Sequence, residues 1–250
     1  MRELVRMGHT CTIITSDSNT LVQPPTLAGS HLIQDLDGVT FCWVRTLKYS
    51  TAKSLRRIIS WLHFEWRLLL LPLSDFTPPD AIVVSSLSLL TILNGFRLRR
   101  RYRCRLVFEI RDIWPLTLTE EGGFSPRNPL VKALALIERL GYRHADAIVG
   151  TMPNLSEHVT TVLGYQRKVH CVPMGIDPAM IDNIEPLTEE YIHAHIPDNK
   201  FIVAHVGSIG ITNALDAFFE CASRMTELSN IHFLLVGSGD LRDYYQKKYH

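Results

Sequence analysis

Residues 201–236 read FIVAHVGSIGITNALDAFFECASRMTELSNIHFLLV. The stretch opens on a continuous apolar run, Phe201 to Val206, and closes on another, Ile231 to Val236. Between them, Leu215, Phe218, Phe219, Ala222 and Met225 recur at the spacing of one helical face, which predicts a helix over Asn213 to Glu227. A strand that is apolar throughout is buried on both of its faces. Strand, helix, strand in that form is the unit of a parallel sheet covered by helices.

Moving toward the N-terminus, the same alternation recurs. Apolar runs lie at Cys11 to Thr15, Val39 to Val44, Ala81 to Val84, Leu106 to Ile110, Ala147 to Val149 and Val169 to Val172. Helical patterns cover Met1 to Met7, Lys53 to Leu71, Leu87 to Leu98, Pro129 to Tyr142 and Asn154 to Leu163. Residues 16–38 read as a long loop and residues 178–199 as an irregular linker rich in acids. A last helix opens at Asp240. The fold class is therefore α/β, with one unit over 1–177, a linker over 178–199 and a second over 200–250.

Twenty-six Lys+Arg against 25 Asp+Glu give a net charge of +1, so no global basic excess draws the chain to nucleic acid. A 46% hydrophobic content excludes a disordered polymer. No apolar run reaches the ~18–20 residues that span a bilayer, and charges interrupt the N-terminus where a signal peptide would need an apolar region. The cysteines number five, an odd count, and no two lie within thirty residues of each other. That spacing gives neither a disulfide framework nor a metal-binding pair, and fits a reducing cytoplasmic setting.

Ligands of open parallel sheets sit beyond the carboxyl ends of the strands. Small and polar residues gather there: Ser85 and Ser86, Arg111 and Asp112, Gly150 and Thr151, Gly175 to Asp177, Gly207 to Gly210 and Gly237 to Gly239. Gly207, Ser208 and Gly210, followed by Asn213 as a cap with Asp216 three residues on, suit a phosphate held against a helix N-terminus. The alternative is that such turns need Gly and Ser for geometry alone. Gly237-Ser238-Gly239 lacks the third glycine of a dinucleotide fingerprint, since Arg242 stands there. His205 reads as a hydrogen-bonded core histidine, and His193 with His195 as a solvated pair.

Three segments now carry a resemblance. Phe108-Glu109-Ile110-Arg111-Asp112-Ile113-Trp114-Pro115 precedes Glu121-Gly122-Gly123. Ile137-Glu138-Arg139 leads to Arg143-His144-Ala145-Asp146-Ala147-Ile148-Val149. Val172-Pro173-Met174-Gly175-Ile176-Asp177 leads into Ala204 to Gly210 and Phe233 to Gly239. Together they resemble the family 4 retaining glycosyltransferases of the GT-B fold, closest to the branch that builds O-antigen and capsule polysaccharides.

The resemblance implies two Rossmann-like domains facing across a cleft, with a nucleotide-sugar donor on the C-terminal one. A lipid-linked or polysaccharide acceptor is expected on the N-terminal one. No metal and no cofactor beyond the donor are implied. Donor phosphates are expected at Gly207, Ser208, Gly210 and Asn213, with Gly237 and Gly239 beside them. Asp112 and Glu121 become the catalytic candidates. Asp112 reads equally as a structural carboxylate paired with Arg111 or capping its turn, and Glu121 as part of a solvated loop. The family's first strand and glycine-rich loop, and its carboxylate pair, have no counterpart in residues 1–250. The polypeptide is therefore expected to be a fragment with little or no turnover by itself.

Lys53 to Arg67 mixes Arg56 and Arg57 with Trp61 and Trp66, and Arg100 and Arg101 belong to a second basic cluster. Cations with Trp suit peripheral contact with the anionic inner face of a membrane. A core-packed helix and a solvated basic face would read the same way. Two other classes stay open. One is a non-catalytic α/β fragment that binds membrane or a partner chain. The other is a nicotinamide-dependent oxidoreductase resting on the broken fingerprint. A nucleotide-sugar epimerase of the same fold has no residue to support it.

Overall fold

The computed structural model describes residues 1–18, 24–49, 55–86, 88–120, 123–177, 181–182, 184–210 and 213–249. It divides into two compact units, Met1–Gly175 and Ile176–His250.

Unit 1 opens with a five-residue helix, α1 (Arg2–Arg6), followed by β1 (Cys11–Ser16), β2 (His31–Leu36) and β3 (Val39–Val44). These strands form one sheet in the order β1-β3-β2. β1 runs parallel to β3, whereas β2 is antiparallel to it, so the sheet is not parallel throughout. β2 lies inside the stretch expected to be loop. Its signal is Asp37-Gly38, both at positive φ (56° and 78°), the geometry of a two-residue hairpin turn between paired Leu36 and Val39.

A second sheet carries β4 (Ala81–Ser85), β5 (Arg105–Ile110), β6 (Ala147–Gly150) and β7 (Val169–Cys171), in that order and all parallel. The connecting helices are α3 (Thr91–Tyr102), α4 (Leu116–Glu120), α5 (Pro129–His144) and α6 (Leu155–Leu163). Asn128 caps α5 by accepting from the Leu130 N–H, with Pro129 at the first helical position, where its missing N–H costs no hydrogen bond. Leu106, Phe108, Ile148, Ile92 and Val159 form the centre of this core and are fully buried. β1 and β4 are each the terminal strand of their sheet.

α2 (Leu55–Leu70) precedes β4 and ties the two halves of the unit together. Leu68 and the following Leu71 pack on Cys42 and Val44 of β3. The buried Glu65 accepts hydrogen bonds from the Ser88 hydroxyl (3.2 Å), the Thr91 hydroxyl and the Asn94 amide (2.7 Å). Arg97 donates to the Leu68 carbonyl at 3.2 Å, so α2 and α3 run side by side in the same direction.

Unit 2 contains α7 (Glu189–His195), within the stretch expected to be irregular, then β8 (Phe201–Val206), α8 (Asp216–Arg224), β9 (Ile231–Val236) and α9 (Arg242–Tyr249). Thr188 caps α7 through the Tyr191 N–H, and His195 rests on the Tyr191 ring. β8 and β9 pair in parallel from Phe201↔Ile231 to Val206↔Val236. Ile209, Leu215 and Tyr245 are the buried centre of the unit. All five cysteines are free thiols. Among the described residues, no helix is long and apolar enough to cross a membrane.

Candidate functional site

In unit 1 the carboxyl ends of β4 and β5 are joined by one hydroxyl. Ser86 is buried, and its Oγ accepts from the Arg111 N–H (2.9 Å) while donating to the Asp112 carbonyl (3.2 Å). The loop that carries Asp112 is thereby fixed to the end of the neighbouring strand. Asp112 itself is exposed, and among the described residues its carboxylate has no hydrogen bond and no ion pair with Arg111. The loop backbone is fixed there and the carboxylate is exposed to solvent. Glu121, the second catalytic candidate, lies outside the described residues.

The loop continues through Trp114, whose peptide bond to Pro115 is cis. Trp114 meets Trp61 of α2 edge to face at 5.8 Å, and its indole N–H is buried without a partner among the described residues. Trp61 therefore supports the Asp112 loop from beneath, away from any outer surface of α2. Gly150, at the end of β6, serves packing: a Cβ there would stand 2.3 Å from Leu155 Cδ2.

In unit 2 the turn after β8 is tightly fixed. Gly207 N–H donates to the Val236 carbonyl and Ile209 N–H to the Ser238 carbonyl, both at 2.9 Å. Ile209 is buried in the unit's core. Ser208 and Gly210 flank it, and among the described residues their N–H groups have no acceptor. Gly237 and Gly239 do something other than expected. A Cβ on Gly237 would lie 1.8 Å from the Gly207 carbonyl oxygen, and one on Gly239 would lie 2.3 Å from that of Ile209. They are glycines because the second turn packs directly on the first.

Asn213 also differs. The helix begins at Asp216 and its cap position, Leu215, makes no side-chain bond. The Asn213 amide instead donates to the Ser208 carbonyl, folding the turn on itself. Asp216 accepts from Lys248 (3.1 Å) and Tyr245 (3.0 Å) of α9, and Lys248 before Tyr245 holds its carboxyl below the usual range. It therefore serves helix packing. His205 is not the hydrogen-bonded core residue expected. Its ring lies against Phe218, and its buried Nε2 has no partner among the described residues. That nitrogen stands 3.5 Å from where a Cβ on Gly207 would be, beside the candidate turn.

The basic and aromatic residues separate into different places. Arg56 and Trp66 are exposed on α2, and the side chain of Arg57 lies outside those described. Arg100 and Arg101 lie at the far end of α3, Arg101 over the ring of Tyr102. What sequence reading missed is the rest of the outer face of α2. Ile58, Ile59, Leu62, Trp66, Leu69 and Leu70 are all exposed, while Ser60 and Glu65 are buried. The signal was present in the spacing 58, 62, 66, 69, which marks one helical face.

The profile of the glycosyl transferase 4-like domain matches residues 1–175. The chain belongs to the glycosyl transferase 4-like family. Its fold is that of GT-B enzymes. Sucrose-phosphate synthase from Thermosynechococcus elongatus superposes with a TM-score of 0.59 at 12% identity, over 98% of this chain and 59% of that one. Trehalose-6-phosphate synthase from E. coli, bound with UDP-2-fluoro glucose, gives 0.60 at 12% identity, over 96% and 62%. The glycosyl transferase 4-like chain thus spans about three-fifths of the length of these solved structures. No curated protein matches it significantly.

Proposed function

We propose that the protein transfers a sugar, with retention, from a nucleoside-diphosphate sugar bound by unit 2 to a surface-polysaccharide or lipid-linked acceptor presented to unit 1. The observation that carries this reading is the fixed turn at 207–210. It leaves two N–H groups, of Ser208 and Gly210, without an acceptor among the described residues at the carboxyl end of a parallel strand, where backbone donors meet phosphate oxygens without reorganising. His205 adds a ring nitrogen with no partner among the described residues, beside the same turn. Asp112 supplies an open carboxylate to the acceptor hydroxyl. The apolar outer face of α2 supports work against the inner face of a membrane, where a lipid-linked acceptor would lie. The turn itself carries no Lys or Arg between Gly207 and Asn213. Neutralisation of a diphosphate is therefore weak, and the polypeptide of residues 1–250 is expected to show little or no turnover alone.

The test is calorimetric titration with a panel of nucleoside-diphosphate sugars, run on the wild type and on His205→Phe. Phenylalanine keeps the ring contact with Phe218 and removes the nitrogen. Saturable binding that weakens about tenfold in the variant supports the donor site. Binding to none of the panel, or equal binding by both proteins, overturns it. Rapid turnover by the wild type would overturn the expected inactivity.

A further inference from the structure

We propose that unit 1 carries a second anion site, for a phosphate-bearing ligand, at the end of its parallel sheet opposite Asp112. A cavity of about 830 Å³ opens where the amino ends of three adjacent strands meet the end of α3. Asp80 precedes β4, Arg105 begins β5 and Asp146 precedes β6, while Arg99, Arg100 and Arg103 come from the end of α3. Four guanidinium groups thus meet two carboxylates, in a chain whose total net charge is only +1.

The two acids offset only part of this cluster. Asp146 is already committed. One oxygen takes Arg99 at 2.8 Å and Arg105 at 3.8 Å, and the other accepts from the Leu106 N–H at 2.8 Å. Arg99 is fixed further by donating to the His144 carbonyl at 2.7 Å. Arg100 and Arg103 have neither an ion pair nor a hydrogen bond among the described residues. The dipole of α3 accounts for cations in its last turn. It does not account for Arg103, which follows the helix in the left-handed region (φ 54°), a place that favours glycine.

The excess of two positive charges matches a phosphomonoester dianion or a diphosphate, and planar guanidinium forks suit phosphate oxygens. The ligand is either free in solution or the headgroup of an anionic lipid. The lipid source is sterically open, because the apolar outer face of α2 runs beside α3 toward the same end of the unit.

The experiment uses inorganic pyrophosphate as the probe, at constant ionic strength, on the full chain. The test variant is R100Q/R103G. Glycine suits the backbone at 103, so helix termination is kept while both unpaired guanidinium groups are lost. R139Q removes one exposed charge elsewhere on the unit and is the control. Pyrophosphate affinity is expected to fall at least about tenfold in the double variant and to stay unchanged in R139Q. Binding at the 207–210 turn is read separately, since it survives R100Q/R103G and falls in Gly210→Ala. A second arm floats the same proteins with vesicles of phosphatidylcholine containing phosphatidate. Pyrophosphate binding lost in the double variant supports the site with a free ligand. Vesicle retention lost in the double variant, without pyrophosphate binding, supports it with a lipid headgroup. If neither probe distinguishes R100Q/R103G from the wild type, the proposal is overturned.

Discussion

Glycines at the ends of β8 and β9 serve two different purposes, and single substitutions separate them. An alanine at 237 would drive its Cβ into the Gly207 carbonyl, which no side-chain rotation relieves. Gly237→Ala is expected to cost unit 2 about 3 kcal/mol or more, read as a lowered denaturant midpoint for that unit. Among the described residues, a Cβ at 210 would meet the Ser208 hydroxyl alone, at an ordinary 3.5 Å. Gly210→Ala should therefore leave stability unchanged and weaken donor-sugar binding. A variant pair that behaves alike in both measurements would contradict the assignment. In sequence both turns look ready for phosphate, because a glycine does not reveal which neighbour it accommodates. Thiols make a second residue-scale test. Burial, with Asp75 nearby, pushes Cys42 up to about 11, whereas Cys171 and Cys221 are exposed. Near pH 8, iodoacetamide should label Cys171 and Cys221 and spare Cys42 until denaturant is added, as read by peptide mass spectrometry.

At the scale of elements, α2 is a helix with its polar groups inside. Its extent was legible from the Trp, Leu and Ile run, but its rotation was not. Glu65 faces inward because Ser88 and, on α3, Thr91 and Asn94 offer it partners more than twenty residues away, and Ser60 because its hydroxyl donates to the Leu47 carbonyl at 2.7 Å. β2 shows the converse: Asp37-Gly38 is a local signal, obscured by the polar stretch before it. Burial raises the Glu65 carboxyl above its ordinary 4.5, against the opposing hydrogen bonds of Thr91, Asn94 and Ser88. The folded state then holds a proton that the unfolded state releases. The stabilisation from this group is complete below 4.5 and is lost as pH rises through the folded value. Glu65→Gln has no proton to lose; its amide oxygen can still accept from the Ser88 and Thr91 hydroxyls, and its amide N–H can donate to the buried Asn94 Oδ1 once the Asn94 amide turns over. It should equal or exceed the wild type in stability at neutral pH and flatten the decline above 4.5, measured by urea unfolding across pH. Glu65→Ala should cost about 2–3 kcal/mol, because it leaves the Asn94 amide and two hydroxyls unpaired in the interior.

For the whole molecule, the alternation of apolar runs made the α/β class legible, since parallel strands are read as continuous apolar segments, but it overstated burial: Phe201 and Val206 at the two ends of β8 are exposed, not covered on both faces. What the pattern could not convey is which faces remain open, since that depends on packing between distant elements. The outer face of α2 is the clearest case. Leu62, Trp66 and Leu69 are 51%, 53% and 48% exposed, on a helix whose inner face is already satisfied. Transferring the exposed half of three such side chains into a bilayer interface is worth about 3 kcal/mol, or on the order of 100-fold in partitioning. Arg56 at the start of α2 and Arg100 and Arg101 at the end of α3 would add attraction to anionic lipid that fades with salt. The triple variant Leu62→Gln, Trp66→Gln, Leu69→Gln changes exposed positions only, so its thermal midpoint should match the wild type. In cosedimentation with phosphatidylglycerol-containing vesicles at low salt, the wild type should pellet and the variant should remain in the supernatant. Added salt should weaken wild-type binding without abolishing it, because the apolar contribution is not screened. A wild type that stays in the supernatant, or a variant that pellets equally, would show that this face meets something other than lipid.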